Sequence, residues 1–447
     1  MENLKLRLAL LLSKLIFCMI KVFKMAGTTL VGFVLLRTFP DFLKIINKKM
    51  NGVKITVSGT NGKTTTSGLI AHLLKTDDNC VVNNLKGANL IVGITNSIAE
   101  AFVKHPEYLE KSPDYFVFET DEGHLQKLYP HIPCDYMVLT NLFDDQADRF
   151  GSIENVCKYI KNAISMNPNL KLVLNSDDPV TSNLAGDNPA VYYGIEDIEY
   201  CIANQLFIKK AETYSCPVCG KNLDYEKVFY AHQGHYSCSC GLTRRTPDYS
   251  VKVKIYDEYS DIYIFHEGTT QILRLKFTEL YNIYNAIAAI VTVSDIGIRD
   301  LQDKLDNFKS IFGRSITEII DKHKTTIRLI KNPVGANIVM GTIDQKSDIL
   351  LAFNDNTGDG HDISWIWDID FTPLKHTEGN IIVSGARGKD AVLRLKYADV
   401  PMEKVKLIDN INDAVNHIYK NAKGSIIILP NYTALYEIKK NERFERL

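Results

Sequence analysis

The fold is decided by residues 53–66, which read VKITVSGTNGKTTT. The run from Val53 to Val57 is apolar at alternate positions and rich in β-branched residues, which predicts a strand. A glycine-rich turn follows, and an apolar-periodic helix is predicted from about residue 63 to 75. At such a junction glycines let backbone N–H groups converge on an anion, and the helix N-terminus favours negative charge. The stretch therefore predicts a phosphate-binding loop in an α/β domain.

Two side chains of this loop suit a nucleoside triphosphate. Lys63 can neutralise charge on the β- and γ-phosphates, and Thr64 can offer its hydroxyl to Mg²⁺. The strict pattern G-x-x-x-x-G-K-[ST] asks for glycine at position 57, where this chain has Val57. The shortened loop still predicts ATP binding. The residues predicted to bind it are Thr60, Asn61, Gly62, Lys63, Thr64 and Thr65.

Strands and helices alternate along the rest of the chain. Short apolar strands are predicted at 115–118, 136–139 and 170–174, and the alternation resumes from residue 325 to the end. This pattern is typical of parallel α/β sheets, and 447 residues allow about three domains. The predicted domains are a cationic N-terminal helix and loop (1–50), a central ATP-binding domain (51–312) and a second α/β domain (313–447).

The loop sequence GTNGKT at 59–64 resembles that of the Mur ligases and folylpolyglutamate synthetases, ATP-dependent enzymes that activate a carboxylate as an acyl phosphate. The resemblance implies a Mur ligase-type central P-loop ATPase domain followed by a Rossmann-like α/β domain. It also implies that Asn282 and Arg314 lie near the adenosine. Further matches, in the family's order, are Asn175–Pro179, Tyr281–Ala289, Gly313-Arg314 and Asn332-Pro333.

One acidic residue stands where a metal ligand is expected. Glu119 closes a predicted strand, and a carboxylate at the carboxyl end of a strand can complete a Mg²⁺ shell opposite Thr64. With Lys63, Glu119 is therefore predicted to act in catalysis. Asp121 and Glu122 are expected to be exposed loop acids.

Four cysteines predict a zinc site in an insertion at about 201–250. They form the turns CPVCG at 216–220 and CSCG at 238–241, in which each glycine allows the bend that points two thiolates at one centre. A closed four-thiolate site has no open position for catalysis, so its predicted role is structural. His232 and His235, between the two pairs, are expected on the surface. The predicted zinc ligands are Cys216, Cys219, Cys238 and Cys240.

The first fifty residues are cationic, with nine Lys and Arg against Glu2 and Asp41, whereas the remaining chain carries a net −8. Within residues 4–23 an apolar run is broken by four cations, which excludes a transmembrane helix and a signal peptide. Two alternatives remain: a helix packed on its own protein, or a helix of residues 1–24 lying on anionic lipid.

Two features of the whole composition concern location and partners. Nine cysteines, an odd number with four in one cluster, favour a reducing, cytoplasmic compartment over a disulfide framework. The total of 52 basic and 53 acidic residues argues against a general nucleic-acid binder.

The cysteine cluster and the C-terminal domain narrow the resemblance to one branch of the Mur ligases. Ordinary amino-acid-adding members carry no four-cysteine ribbon, and the segment LAFNDNTGDGHDISWIWD at 351–368 is similar to that branch's C-terminal domain. The resemblance implies a heterodimer with a GatD-like glutaminase of the class I amidotransferase type. Asp355 is then the acid that completes the partner's Cys–His pair, because a carboxylate fixes the histidine tautomer.

The implied reaction is the ATP-dependent amidation of the α-carboxylate of D-Glu in the stem peptide of lipid II. Ammonia from glutamine attacks an acyl phosphate and gives D-isoglutamine, in peptidoglycan synthesis. Lipid II lies at the anionic inner leaflet of the membrane, which would explain why the N-terminal segment is cationic. The resemblance therefore implies a cytoplasmic protein, peripheral to the inner face of the membrane. Two alternatives stay open: an amino-acid-adding Mur or folylpolyglutamate-type ligase, and a non-enzymatic P-loop and zinc-ribbon binding module.

Overall fold

A computed structural model describes residues 2–23, 29–84, 88–143, 152–201, 214–308, 314–356, 359, 362 and 364–444. These residues divide into two compact units. The first unit takes in the described residues up to 308, and the second takes in those from 314 onward.

Among its described residues the first unit has eleven strands. They are β1 (Val53–Ser58), β2 (Val81–Asn83), β3 (Tyr115–Glu119), β4 (Tyr136–Leu139), β5 (Lys171–Asn175), β6 (Ala190–Tyr200), β7 (Asp224–Tyr230), β8 (Gln233–Ser237), β9 (Tyr249–Ile255), β10 (Ser260–His266) and β11 (Thr269–Leu275). Nine of them form one sheet in the order β11-β10-β9-β6-β5-β4-β1-β3-β2. Every neighbouring pair from β2 to β9 is parallel, whereas β10 and β11 continue the sheet as antiparallel strands.

Helices cover this sheet, as its buried strands require. They are α1 (Glu2–Val22), α2 (Leu30–Thr38), α3 (Phe42–Asn47), α4 (Lys63–Leu74), α5 (Ile91–Lys104), α6 (Glu122–Leu128), α7 (Ile153–Ser165), α8 (Leu280–Ile296) and α9 (Gln302–Asn307). The predicted strand at 53–57 and helix at 63–75 are confirmed as β1 and α4. A parallel strand buried on both faces reads as an apolar run, and the last four residues of β1 are all buried.

The N-terminal helices belong to the core of the first unit. One side of α1 is buried, and its residues Leu6, Ala9 and Leu10 join the same apolar cluster as α2, α3 and α5. The ion pair between Glu2 and Lys48, 2.6 Å long, also ties α1 to the end of α3. One face of α1 is therefore packed on its own protein, which is the first of the two alternatives for this helix. No helix among the described residues has the length and apolarity needed to span a bilayer.

The insertion between β6 and β9 contains the hairpin of β7 and β8, a separate two-stranded sheet. The two cysteine turns lie at the open end of this hairpin, before β7 and after β8. Because β6 and β9 pair in parallel, their connection has to cross from one end of the sheet to the other. The insertion makes that crossing.

In its described residues the second unit is built on a mixed sheet of six strands in the order β12-β13-β17-β14-β15-β16. All its pairs are parallel except β12 with β13. Its strands are β12 (Arg314–Ile320), β13 (His323–Arg328), β14 (Asp348–Ala352), β15 (Ile381–Ser384), β16 (Val405–Leu407) and β17 (Ile426–Pro430). Its helices are α10 (Pro333–Gly341), α11 (Gly388–Tyr397), α12 (Ile411–Asn421) and α13 (Tyr432–Lys439). The sheet has an apolar cluster on each face, as a central parallel sheet needs.

Candidate functional site

The loop between β1 and α4 is held in a shape that only glycine accepts at two positions. Gly59 and Gly62 have φ of 123° and 86°, in the region that L-residues with a side chain avoid. A Cβ on Gly62 would also lie 2.0 Å from the side-chain oxygen of Asn285 in α8. The chain therefore turns tightly just before α4, and the N-terminus of that helix favours a bound anion.

The end of β4 supports the other side of the loop. The backbone carbonyl of Asn141 accepts from the N–H of Thr60 at 2.8 Å, and its side-chain oxygen accepts from the N–H of Asn61 at 2.9 Å. The hydroxyl of Thr140 donates to the carbonyl of Asn61 at 2.6 Å. These bonds fix Thr60 and Asn61 from outside the loop. Sequence reasoning did not assign Asn141 a role, although its place directly after a buried strand puts it at the same sheet edge as the loop.

Lys63 makes a buried ion pair that the sequence did not predict. Its Nζ lies 2.8 Å from Oε1 of Glu122, and the same oxygen accepts from the backbone N–H of Gly59 at 3.1 Å. The expectation that Asp121 and Glu122 are exposed was wrong, since both are buried. The physical reason is that the chain turns directly from β3 into α6, with Asp121 capping the helix by accepting from the N–H of Gly123. This turn places Glu122 under the loop.

The acidic surroundings set the charge of the lysine. Burial alone would lower the pKa of Lys63, but the Glu122 carboxylate outweighs it, helped by Glu119 and Asp121. The pKa of Lys63 therefore lies above its ordinary value, and the ammonium is charged at neutral pH. A charged lysine at the start of α4 can bind phosphate oxygens.

Glu119 has a buried carboxylate with spare coordinating capacity. It lies at the carboxyl end of β3, paired in register with Val57 beside the loop. Its Oε1 accepts from the side chain of Asn89 at 3.3 Å, whereas its Oε2 has no hydrogen-bond partner. An ionised, buried oxygen without a partner is costly, and a divalent cation would satisfy it. The donor set of Glu119 and the buried Thr64 hydroxyl fits Mg²⁺.

The residues expected near the adenosine lie in different units. Asn282 is buried in the first turn of α8, and its amide donates to the Glu279 carboxylate at 3.4 Å. Asn285, one turn further, is the residue that closes over Gly62. Arg314 begins β12 in the second unit, and its side chain is outside the part of the chain that the structure describes.

The structure brings the four predicted zinc ligands together. Their sulfurs all lie within 4.8 Å of one another, with Cys216 3.7 Å from Cys240 and Cys219 3.6 Å from Cys238. Four sulfurs around a tetrahedral ion at about 2.3 Å are about 3.8 Å apart, so the spacing fits Zn²⁺. The glycines after the two turns, at positions 220 and 241, have φ of 72° and 94°.

His232 and His235 are not the surface residues that were expected. His232 is buried, with Nε2 3.2 Å from Oδ2 of Asp178. Nε2 of His235 lies 2.9 Å from the carbonyl oxygen of Ile195 in β6. Both histidines come from the hairpin: His235 contacts the main sheet, and His232 contacts the loop that follows β5. They fasten the hairpin to the domain, and the four cysteines lie at its open end.

A second acidic position lies at the sheet edge of the second unit. Asp355 follows β14 and is half-exposed, with Oδ2 3.0 Å from Nε of Arg387. The preceding residue, Asn354, is buried and exchanges two hydrogen bonds with Asn431: its N–H donates to Oδ1 at 3.1 Å, and its carbonyl accepts from Nδ2 at 2.7 Å. On the other side, Asn356 donates to the hydroxyl of Thr433 at 3.0 Å. Asp355 thus lies between two residues that are held by hydrogen bonds, Asn354 through its backbone and Asn356 through its side chain.

The fold and the loop define a P-loop α/β protein, and comparisons with known proteins assign it to a family. The family model of the Mur ligase middle domain matches residues 57–293, and that of the MurT ligase C-terminal domain matches 329–435. The chain is 33% identical over 420 residues to the lipid II isoglutaminyl synthase (glutamine-hydrolyzing) subunit MurT of Staphylococcus aureus (strain COL), covering 92% of this chain and 91% of that one. The corresponding subunit of Streptococcus pneumoniae (strain ATCC BAA-255 / R6) is 33% identical over 423 residues, covering 93% and 92%.

A solved structure has the same fold. It is a pseudomurein peptide ligase type C from Methanothermus fervidus, with a TM-score of 0.70 and 22% identity, covering 95% of this chain and 85% of that one. The chain therefore belongs to the Mur ligase family, and within that family to the MurT subunits.

Proposed function

We propose that this protein is the ATP-dependent synthetase subunit of a lipid II isoglutaminyl synthase, which amidates the α-carboxylate of D-Glu in the lipid II stem peptide to D-isoglutamine. The observation that carries the proposal is the likeness to two MurT subunits over more than nine-tenths of the chain. The buried Lys63 and Glu119 at one sheet edge supply the phosphoryl-transfer chemistry that such a reaction needs. The product serves peptidoglycan synthesis.

The loop binds and orients ATP in this proposal. Residues Thr60 to Thr65 would bind the phosphates, with the amides from Gly62 onward as donors, because the N–H groups of Thr60 and Asn61 donate to Asn141. Asn282 and Arg314 would contact the adenosine. Lys63 stabilises the charge that builds up as the γ-phosphoryl group moves to the substrate carboxylate and forms an acyl phosphate. Ammonia then attacks the acyl carbon and phosphate leaves, so that one C–N bond replaces one C–O bond.

Thr64 and Glu119 would hold Mg²⁺ at this site. When bound, the ion neutralises phosphate charge. The unpartnered Oε2 of Glu119 supports this assignment, since it is buried and ready to accept a cation. The four cysteines would hold Zn²⁺ in a structural role, because a four-sulfur set leaves no coordination position for substrate.

The ammonia would come from a GatD-like glutaminase that forms a heterodimer with this chain through residues 313–447. Asp355 would complete the partner's Cys–His pair, by orienting the imidazole and stabilising its protonated form. The half-exposed carboxylate on a fixed backbone supports this role, because a group that acts across an interface has to be both accessible and held in place.

The amino-acid-adding alternative has weaker support. The UDP-N-acetylmuramate--L-alanine ligase of Streptococcus agalactiae serotype V (strain ATCC BAA-611 / 2603 V/R) is 29% identical over 150 residues and covers only 34% of this chain. That match is confined to part of the chain, whereas the MurT likeness includes the C-terminal domain. Replacing ammonia by amino acids in a turnover assay separates the two reactions. A non-enzymatic binding module would release no ADP in response to the substrate carboxylate. An enzyme would release ADP, and Lys63→Ala would abolish that release.

Asp355→Asn tests the proposal, with Asp390→Asn as the matched control. Both carboxylates pair with Arg387, but only Asp355 lies in the segment that directly follows β14, whereas Asp390 belongs to α11. In complex with the glutaminase, Asp355→Asn should lose glutamine-dependent amidation and keep amidation from free ammonia. Asp390→Asn should keep both. Equal loss of both activities in Asp355→Asn would refute its proposed role.

We further propose a cytoplasmic location, with lipid II reached at the inner leaflet and peripheral membrane contact through residues 1–24. The net charge of the first fifty residues supports it, since anionic lipid attracts basic segments.

A further inference from the structure

Helix α1 has two apolar faces, and only one of them is used by the fold. The buried face runs through Leu6, Leu10 and Ile16 into the core. A second stripe faces solvent, and its members are between 48% and 75% exposed. This stripe consists of Leu4, Leu8, Leu11, Leu15, Met19 and Val22.

The spacing of the stripe makes it continuous. Steps of three and four residues follow the helical repeat, so the six side chains form one line along the whole helix. Twenty-one residues of α-helix are about 30 Å long. An apolar line of that length on the surface of a folded domain marks an interaction site.

Cations lie beside the stripe. Arg7, Lys14 and Lys21 are exposed and seven residues apart, which places them on one side of the helix, and Lys5 is exposed on the other side. The single acid of α1, Glu2, is already paired with Lys48. The charged groups of α1 itself that border the stripe are therefore all positive.

This charge pattern decides between the occupants that an apolar helical stripe can have. A second copy of α1 would bring the same cations together with no carboxylates to pair with them, which disfavours self-association. An acidic, apolar-centred surface fits both the stripe and its borders. A bilayer with anionic headgroups has that composition over the full length of the helix.

We infer that α1 docks this protein on anionic lipid through the stripe from Leu4 to Val22, while its opposite face holds the helix to the ATP-binding domain. The helix lies in the plane of the membrane surface, with its apolar side chains in the acyl boundary and its cations at the headgroups. The ATP-binding domain is then attached to the membrane by a rigid helix that is part of its own core. The inference names the surface that carries the peripheral contact proposed above, and it does not depend on the amidation reaction.

The test uses the full-length chain and vesicles of phosphatidylglycerol and phosphatidylcholine in equal parts, against vesicles of phosphatidylcholine alone. Leu8→Glu combined with Leu15→Glu removes the centre of the stripe without touching the buried face. The matched control is Met166→Glu combined with Ile272→Glu, two exposed apolar residues of the same unit. We expect the wild type and the control to bind the anionic vesicles. The α1 variant should bind them at least roughly tenfold more weakly.

A second pair of variants tests the charges. Lys14→Gln combined with Lys21→Gln should lower the vesicle affinity by roughly fivefold for each cation removed. The salt dependence of binding should also become smaller. Lys158→Gln combined with Lys161→Gln, exposed cations of α7, should leave binding unchanged. Unfolding curves of all variants should match the wild type, because every changed side chain is exposed.

Three results would overturn the inference: no binding of the wild type to anionic vesicles, equal binding by the Leu8, Leu15 variant, or a lipid-free dimer that this variant dissociates. The last result would assign the stripe to a second copy. Amidation of detergent-dispersed substrate, measured in parallel, reports on the proposed reaction separately. If the wild type binds the vesicles but does not amidate the substrate, the proposed reaction is rejected and the docking surface is retained.

Discussion

Oε1 of Glu122 accepts from both Nζ of Lys63 and the backbone N–H of Gly59, at 2.8 and 3.1 Å. One carboxylate oxygen therefore engages the two kinds of donor that a phosphate-binding loop offers to a nucleotide. Lys63 and Glu122 are both buried, so neither charge is satisfied by water. The pair keeps the loop and its lysine in place before ATP is bound, and the phosphates have to compete with Glu122 for Lys63.

Removing the lysine alone should therefore destabilise the protein as well as inactivate it. Lys63→Met leaves the buried Glu122 carboxylate without its partner, which costs roughly 3–5 kcal/mol when a buried pair is broken from one side. We expect the free energy of unfolding, measured with urea, to fall by about that amount. Combining Lys63→Met with Glu122→Leu should recover most of the loss.

The pH dependence of this pair follows from the raised pKa of Lys63, which lies above its ordinary 10.5. Its contribution to stability is present at all pH values below 10.5 and is lost as pH rises through the higher, folded-state pKa. The stability difference between the wild type and the double variant should hence be constant from pH 6 to pH 9. A double variant that remains as unstable as Lys63→Met would show that the pair is not coupled.

Gly62→Ala tests the shape of the loop. Alanine at φ of 86° is strained, and its Cβ would collide with Asn285, so the turn has to open. We expect ATP affinity, measured by calorimetry, to fall more than about tenfold, which corresponds to the roughly 1–2 kcal/mol cost of the left-handed region and the clash. Gly341→Ala is the matched control, because a Cβ there meets nothing within 4 Å. Unchanged ATP affinity in Gly62→Ala would contradict the described loop.

The cysteine cluster should bind one zinc ion per chain. Cys238→Ser replaces one of the four converging thiolates by a poorer ligand, so metal analysis of the purified protein should show zinc falling from about one equivalent to near zero. Limited proteolysis should then cut the insertion that holds β7 and β8. Cys201→Ser, an exposed cysteine outside the cluster, should retain the zinc. A zinc-free wild type would reject the metal site.

Acid stability should depend on His232. Burial alone would raise the pKa of Asp178, but His232 and the N–H groups of Thr181 and Val180 hold it below its ordinary 3.8. A lowered pKa contributes stability above the ordinary value and loses it as pH falls through the folded-state value. His232→Asn raises the Asp178 pKa, so acid unfolding followed by circular dichroism should begin at a higher pH. His105→Asn, an exposed histidine, should leave the transition unchanged.

The loop and the cysteine cluster could be predicted because each depends on local chemistry. The turn between β1 and α4 needs glycine at fixed positions, and four thiolates in two short turns have one common use. Glu119 could be placed for a similar reason, since the end of a parallel strand faces the same edge as the loop.

The contacts between distant segments could not be predicted in the same way. Glu122 was expected at the surface because most glutamates are exposed, although a helix start at Asp121 was a signal that the chain turns back at the strand end. His232 and His235 are buried by the folding of a hairpin onto the main sheet, which depends on tertiary packing. Both apolar faces of α1 have the spacing of a helix. The sequence pattern therefore does not distinguish the face that packs in the core from the face that is exposed.

The most direct test of the central claim is mass analysis of lipid II incubated with ATP, glutamine, this protein and its glutaminase partner. We predict that one carboxylate of each stem peptide becomes a carboxamide, that ADP is released in equal amount, and that isotope-labelled amide nitrogen of glutamine appears in the product. Lys63→Ala should abolish both the mass change and ADP release. Lipid II of unchanged mass, with active glutaminase and ATP present, would contradict the account.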